Sequence, residues 1–133
     1  MPKVRLIVEY DGSKFNGWQE QPNLRTLQGE IRKALSLVLR EDINWVLASG
    51  RTDAGVHARA QTVVFKCEQT PDLDRLINGV SNILKNEVSI LEASLAEDNF
   101  HPIKDAIKKH YRYTIYRPAA PPVLDFGKVW HVT

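Results

Sequence analysis

Among 133 residues there is one cysteine, Cys67. That excludes an internal disulfide and fits a reducing, cytoplasmic setting. No apolar run approaches the roughly eighteen residues of a membrane-spanning helix, so no membrane partner is expected. The opening residues, MPKVRLIVEYDG, pass straight into an alternating pattern containing Glu9. They carry neither the apolar core nor the small-residue cleavage site of a signal peptide. There is no Cys-x-x-Cys or His-x-x-x-His pair, and His57, His101, His110 and His131 lie scattered. Such histidines read as structural or solvent-facing, so no metal site is expected. A net charge of +2 is too small to name a partner class.

What the chain does have is 43% hydrophobic and 26% charged residues, the balance of one globular domain spanning residues 1–133. KVRLIVEYD alternates as a strand. DGSKFNGWQEQPN then reads as a long loop with two exposed-looking aromatics, Phe15 and Trp18, and long loops in compact domains are often functional; the alternative is that Trp18 folds back over the core. Thr26 is a helix cap, followed by apolar residues at helical spacing from Leu27 through Arg40. INWVLAS and QTVVFKC read as strands. A helix opens at Pro71, and VSILEAS is a further strand.

This order, βαββαβ, is that of ferredoxin-like α+β domains: a four-stranded antiparallel sheet with both helices on one face. The other face is left open, and many such domains use it for RNA. KKHYRYTIYR and GKVWHVT, on either side of PAAPPV, are expected to extend the sheet as additional C-terminal strands. A chain that stops on a strand, at Thr133, reads as truncated.

Between the second and third strands stands ASGRTDAGVHARA. Gly50 and Gly55 flank a guanidinium, Arg51, and a carboxylate, Asp53. Two readings fit. Thr52 and Asp53 can cap local turns through neighbouring amides. Alternatively, an acid at a strand end projects from a rigid scaffold into a cleft, with Arg51 to grip a phosphate or enter a base stack. The phrase alone favours the turn. No second carboxylate is near, so the paired acids of ordinary glycosidases are not in view, and a hydrolase using Asp53 would also lack an oxyanion device. IKKHYRYTIYR interleaves Lys108, Lys109, Arg112 and Arg117 with three tyrosines. It suits either a nucleic-acid surface or a solvated strand with its rings on the core.

GRTDAGVHA, together with YDGSKFNGWQEQ, TLQGEIRKAL and HYRYTIY in the same order, resembles the tRNA pseudouridine synthase A (TruA) family over most of the chain. The resemblance implies isomerisation of uridine to pseudouridine at positions 38, 39 and 40 of the tRNA anticodon arm. The C1′–N1 bond breaks, the uracil turns, and C5 joins C1′, with no cofactor or metal required. Asp53 would act at the sugar, either attacking C1′ or removing the C2′ proton. Arg51 would help displace the base, and Tyr111 would stack on the flipped uracil. Lys14, Arg59, Lys108, Lys109 and Arg112 are candidates for phosphate contacts, whereas His57 reads as a residue that orders the loop.

Family members are dimeric and roughly twice as long, with the cleft between two similar halves. This chain corresponds to the N-terminal half, and the C-terminal half is absent. It is therefore expected to have little or no activity alone. The stretch FHPIKDA keeps Phe100 and Ala106 of a family phrase of the type Phe-x-Ala-Arg-Phe-x-Ala and replaces its arginine and second aromatic. The alternative to an enzyme is a non-catalytic RNA-binding ferredoxin-like module. The absence of the RNP phrase and the presence of the acid loop speak against it.

Overall fold

The computed structural model describes residues 1–132; Thr133, the last residue of the expected strand GKVWHVT, lies outside the described residues. Strand β1 (Lys3–Tyr10) is central, because its alternation presents Val4, Leu6, Val8 and Tyr10 to one face. It pairs antiparallel with β3 (Ala58–Lys66) and with β4 (Val88–Ala96), while β2 (Val46–Ala48) adds to the outer edge of β3. The resulting order is β2-β3-β1-β4. Helices α1 (Leu27–Leu39) and α2 (Leu73–Ile83) supply Leu27, Ile31, Leu35, Leu76 and Val80 to the core over that face. Fully burying each such side chain contributes about 1.5–3 kcal/mol. This is the expected α+β, ferredoxin-like arrangement. No helix among the described residues is long and apolar enough to cross a membrane.

The helix termini follow local chemistry. Thr26 caps α1 by accepting from the Gly29 amide at 3.2 Å. The next orphan donors, Leu27 N and Gln28 N, give to the carbonyls of Gly17 and Trp18 at 3.1 and 2.9 Å. The loop before the helix thus completes the helix start. Arg40, with φ of 55°, ends α1. Helix α2 starts after Asp72, whose carboxylate accepts from the Arg75 amide, and so two residues beyond Pro71.

Phe15 and Trp18 are not exposed as expected. Both are buried, Trp18 to 2% accessibility, and the loop folds back over the core. The reversal is made at Gly17, where φ is +83°. Two ion pairs hold the loop down. The Arg25 guanidinium grips both oxygens of Glu87 at 2.6 and 2.7 Å, and Arg32 grips both of Glu20 at 3.1 and 2.7 Å. Arg25 also lies 4.6 Å over the Phe15 ring.

The hydrogen bonds from the two arginines hold the Glu87 and Glu20 carboxyls below their ordinary value of 4.5. A carboxyl lowered in the folded state stabilises it fully above the unfolded value, and loses that contribution as pH falls through the native one. The loop should therefore loosen in acid below about pH 4.5. Glu87→Gln should lower the melting temperature at neutral pH and flatten its fall in that acid range. A melting-temperature profile from pH 7 to 2.5 that the substitution leaves unchanged would exclude this role.

The expected C-terminal extension of the sheet does not form. Strands β5 (Ile115–Tyr116) and β6 (Trp130–His131) pair parallel with each other in a separate two-stranded sheet. The path after β4 explains why. The buried Lys3 ammonium donates to the carbonyls of Asp98 and Phe100 at 2.8 and 2.7 Å, drawing the chain away from the β4 edge. Pro102, which has no amide to give a ladder, is buried next. Ile103 then lies beside Leu47 and Arg51, and Lys109 Nζ reaches Gly50. The chain thus crosses the open face toward the β2 side, so that face is partly covered rather than free.

Candidate active site

Residues 49–57 form a strap from β2 to β3. Ser49 N donates to Thr62 O at 2.9 Å and continues the ladder one residue past β2. Val56 N donates to Asp53 O at 3.1 Å, closing a four-residue turn whose third residue, Gly55, has φ of +84°. Glycine meets that requirement without strain. The turn and the presented carboxylate therefore coexist, since Asp53 opens the turn and is exposed on it.

Several contacts fasten the strap to the N-terminal loop. Trp18 N donates to Thr52 O at 2.9 Å. Gly12 packs so tightly that a Cβ there would fall 1.9 Å from Val56 O. Its amide donates to His57 Nδ1 at 2.9 Å, which leaves the proton on Nε2 to donate to Gly127 O at 2.7 Å. His57 thus orders the loop. Asp11 Oδ1 is also 3.2 Å from His57 Nδ1, and hydrogen bonding from Ser13 keeps the Asp11 carboxyl below its usual value. Beneath the strap, the Tyr10 hydroxyl is 2.8 Å from Thr52 Oγ1. Gln61 donates to Gly50 O at 2.7 Å and accepts from Ser49 Oγ at 2.9 Å. Burial pushes the Tyr10 phenol up, so it stays a neutral hydrogen-bonding group at ordinary pH.

The expected site residues are brought together only in part. Arg51 and Asp53 share the strap, and Arg51 lines a shallow cleft with Trp18, Gln28, Leu47 and Ile103. Lys109 joins them, its Nζ 3.3 Å from where a Gly50 Cβ would stand. Arg59 is exposed near the start of β3, and Lys14 ends the short helical turn Gly12–Lys14, its carbonyl accepting from Arg25 at 3.2 Å. Tyr111 is 71% exposed on an irregular segment with Lys108 and Arg112. No described contact brings it to Asp53. A larger cleft of about 390 Å³, lined by Arg5, Ser94, Asn99 and Phe100, lies on the open face and contains none of these groups. Among the described residues no three His, Cys, Asp or Glu side chains gather as a metal ion would need.

The sequence reading passed over Tyr10, Gln61 and Gly12. A tyrosine on the buried face of β1 and a glutamine on the buried face of β3 were the available signals, because an inward polar group needs a partner.

No protein-family model matches the chain. It is 40% identical over 132 residues to tRNA pseudouridine synthase A of Geotalea uraniireducens, a match covering 99% of this chain and 54% of that protein. It is 44% identical over 122 residues to the protein of the same name from Chlorobium phaeovibrioides, covering 90% and 50%. A third, from Legionella pneumophila, is 39% identical over 127 residues, covering 96% and 48%. The chain spans about half the length of the curated relatives it matches.

Proposed function

We propose that this chain, which matches the N-terminal half of tRNA pseudouridine synthase A, supplies the acid-bearing wall of a cleft that isomerises uridine to pseudouridine. The substrate would be the anticodon stem-loop of tRNA, at positions 38, 39 and 40. The observation that carries this reading is the strap itself. One exposed carboxylate, Asp53, and one guanidinium two residues earlier stand on a backbone fastened to both the sheet and the N-terminal loop.

The chemistry suits a lone acid. The C1′–N1 bond is exchanged for a C1′–C5 bond within the same nucleotide, the C5 proton passes to solvent and N1 takes one up, so the atoms balance and nothing is oxidised. Asp53 acts at the sugar while the uracil, a stable enough anion, turns in place. A stacked base must first be flipped out, at a cost of roughly a few kcal/mol, and Arg51 helps displace it. Tyr111 stacks on the flipped base for about 1–3 kcal/mol. Lys14, Arg59, Lys108, Lys109 and Arg112 contact phosphates. Tyr111 would be carried to Asp53 when the arm that bears it gains a partner. Ile107, Val123, Leu124 and Phe126, exposed apolar residues of the same C-terminal segment, are the surface on which other protein would pack. In the relatives' full length that partner would be the second half, in a homodimer.

The test is release of tritium from C5-labelled uridine in tRNA. The chain alone should release little, and a fusion to the remaining half of the Geotalea uraniireducens protein should release it catalytically. A fusion that binds tRNA yet releases none would favour the RNA-binding module. Robust release by the chain alone would overturn the divided cleft.

A further inference from the structure

We infer that Tyr10 and Gln61 are the positioning residues of the Arg51–Asp53 strap, fixing it from below through a buried hydrogen-bond network. This deepens the proposed function, because it rests on Arg51 and Asp53 being the working side chains. Both residues are buried, Tyr10 to 3% and Gln61 to 8%, and both project toward the helix-covered face from adjacent strands. Gln61 Nε2 holds the carbonyl of Gly50, and the Tyr10 hydroxyl shares a hydrogen bond with Thr52 Oγ1. The two grips lie immediately before and after Arg51, and the second lies immediately before Asp53. Gln61 also accepts from the Ser49 hydroxyl, so the two grips together bracket Arg51 from both sides.

The network is built to transmit position rather than to add bulk stability. The Tyr10 ring is packed against Trp18, with centroids 6.4 Å apart, and the Trp18 amide in turn holds Thr52 O. Thr52 is therefore held at its hydroxyl and at its carbonyl by residues that touch each other. Its two neighbours in sequence, Arg51 and Asp53, are left exposed. A rigid ring carrying one hydroxyl, and a short side chain carrying the other, leave the strap little rotational freedom.

The amides of Trp18 and Val56 report the strap directly, because they donate to Thr52 O and Asp53 O. In hydrogen exchange on the 133-residue chain, Tyr10→Phe and Thr52→Val should each speed these two amides about tenfold, the loss expected for one buried hydrogen bond. The amides of β1 and β3 should not change. Thr52→Ser, which keeps the hydroxyl, should behave as the parent, and Tyr10→Phe combined with Thr52→Val should be no worse than either alone. Gln61→Leu should loosen the same two amides.

Equal acceleration across β1 and β3 would make Tyr10 a general core residue and overturn the inference, as would no acceleration at Trp18 and Val56. The readout is independent of turnover. A strap that loosens as described, in a protein whose fusion forms no pseudouridine, would leave the positioning role standing and remove the proposed reaction.

Discussion

Asp53→Asn is expected to lower pseudouridine formation by at least about 10³-fold while leaving tRNA affinity within about twofold. The substitution preserves shape and removes only the ability to attack or to take a proton. Asp53 is exposed, and no hydrogen bond or ion pair holds its carboxylate among the described residues, so folding stability should move by less than about 0.5 kcal/mol. In the proposed complex affinity for tRNA would come from cations on phosphates and rings on bases, and losing one negative charge beside a polyanion would not weaken it. The assay is tritium release by the fusion with and without the substitution, beside filter binding of the same tRNA. Retained turnover would move the chemistry off Asp53. Turnover and binding lost together, with an unchanged melting temperature, would make the carboxylate a binding group instead.

In the proposed reaction Arg51→Ala should behave differently, because a side chain that displaces a base would act before the chemical step. The acid and the guanidinium are placed on a strand-to-strand connection by the apolar runs INWVLAS and QTVVFKC and by the glycines between them. What holds that connection is not legible there. Tyr10 fits the alternation of β1 as an ordinary core residue, and nothing local says that its hydroxyl meets Thr52, far along the chain. Gln61 was the better clue, a polar residue at an inward position opposite Val8.

The fold shows the same division. Periodicity located β1, β3, β4 and both helices, since each buries one face and writes that face into its own sequence. Which way Trp18 faces is not legible locally, because its burial depends on a reversal at Gly17 and on a carbonyl from the strap. The tyrosine segment has strand alternation, but alternation does not name a partner. Lys3 diverts the preceding chain across the open face, so Tyr111 and Tyr113 stay exposed, at 71% and 83%.

Gly12→Ala is expected to be the most damaging change outside the chemistry. An added Cβ would meet the carbonyl oxygen of Val56 at 1.9 Å, its carbon at 2.4 Å and its nitrogen at 2.9 Å. All three are backbone atoms, so no side chain can swing aside. Either the turn Gly12–Lys14 or the strap must move, and either movement breaks the bond from Gly12 N to His57 Nδ1. Overpacking and the lost hydrogen bond together should cost about 2–4 kcal/mol. That corresponds to on the order of 10 °C in melting temperature for a domain of this size. Gly55→Ala is the control, because a Cβ there meets nothing within 4 Å and the cost is confined to its φ of +84°, about 1–2 kcal/mol. Thermal unfolding of the two variants, with hydrogen exchange at Val56, separates the cases. If Gly12→Ala melts with the parent and keeps Val56 protected, the strap is not seated on the N-terminal loop as described. If it melts early and frees Val56 while β1 and β3 stay protected below the transition, then the close approach of Gly12 is what seats Asp53.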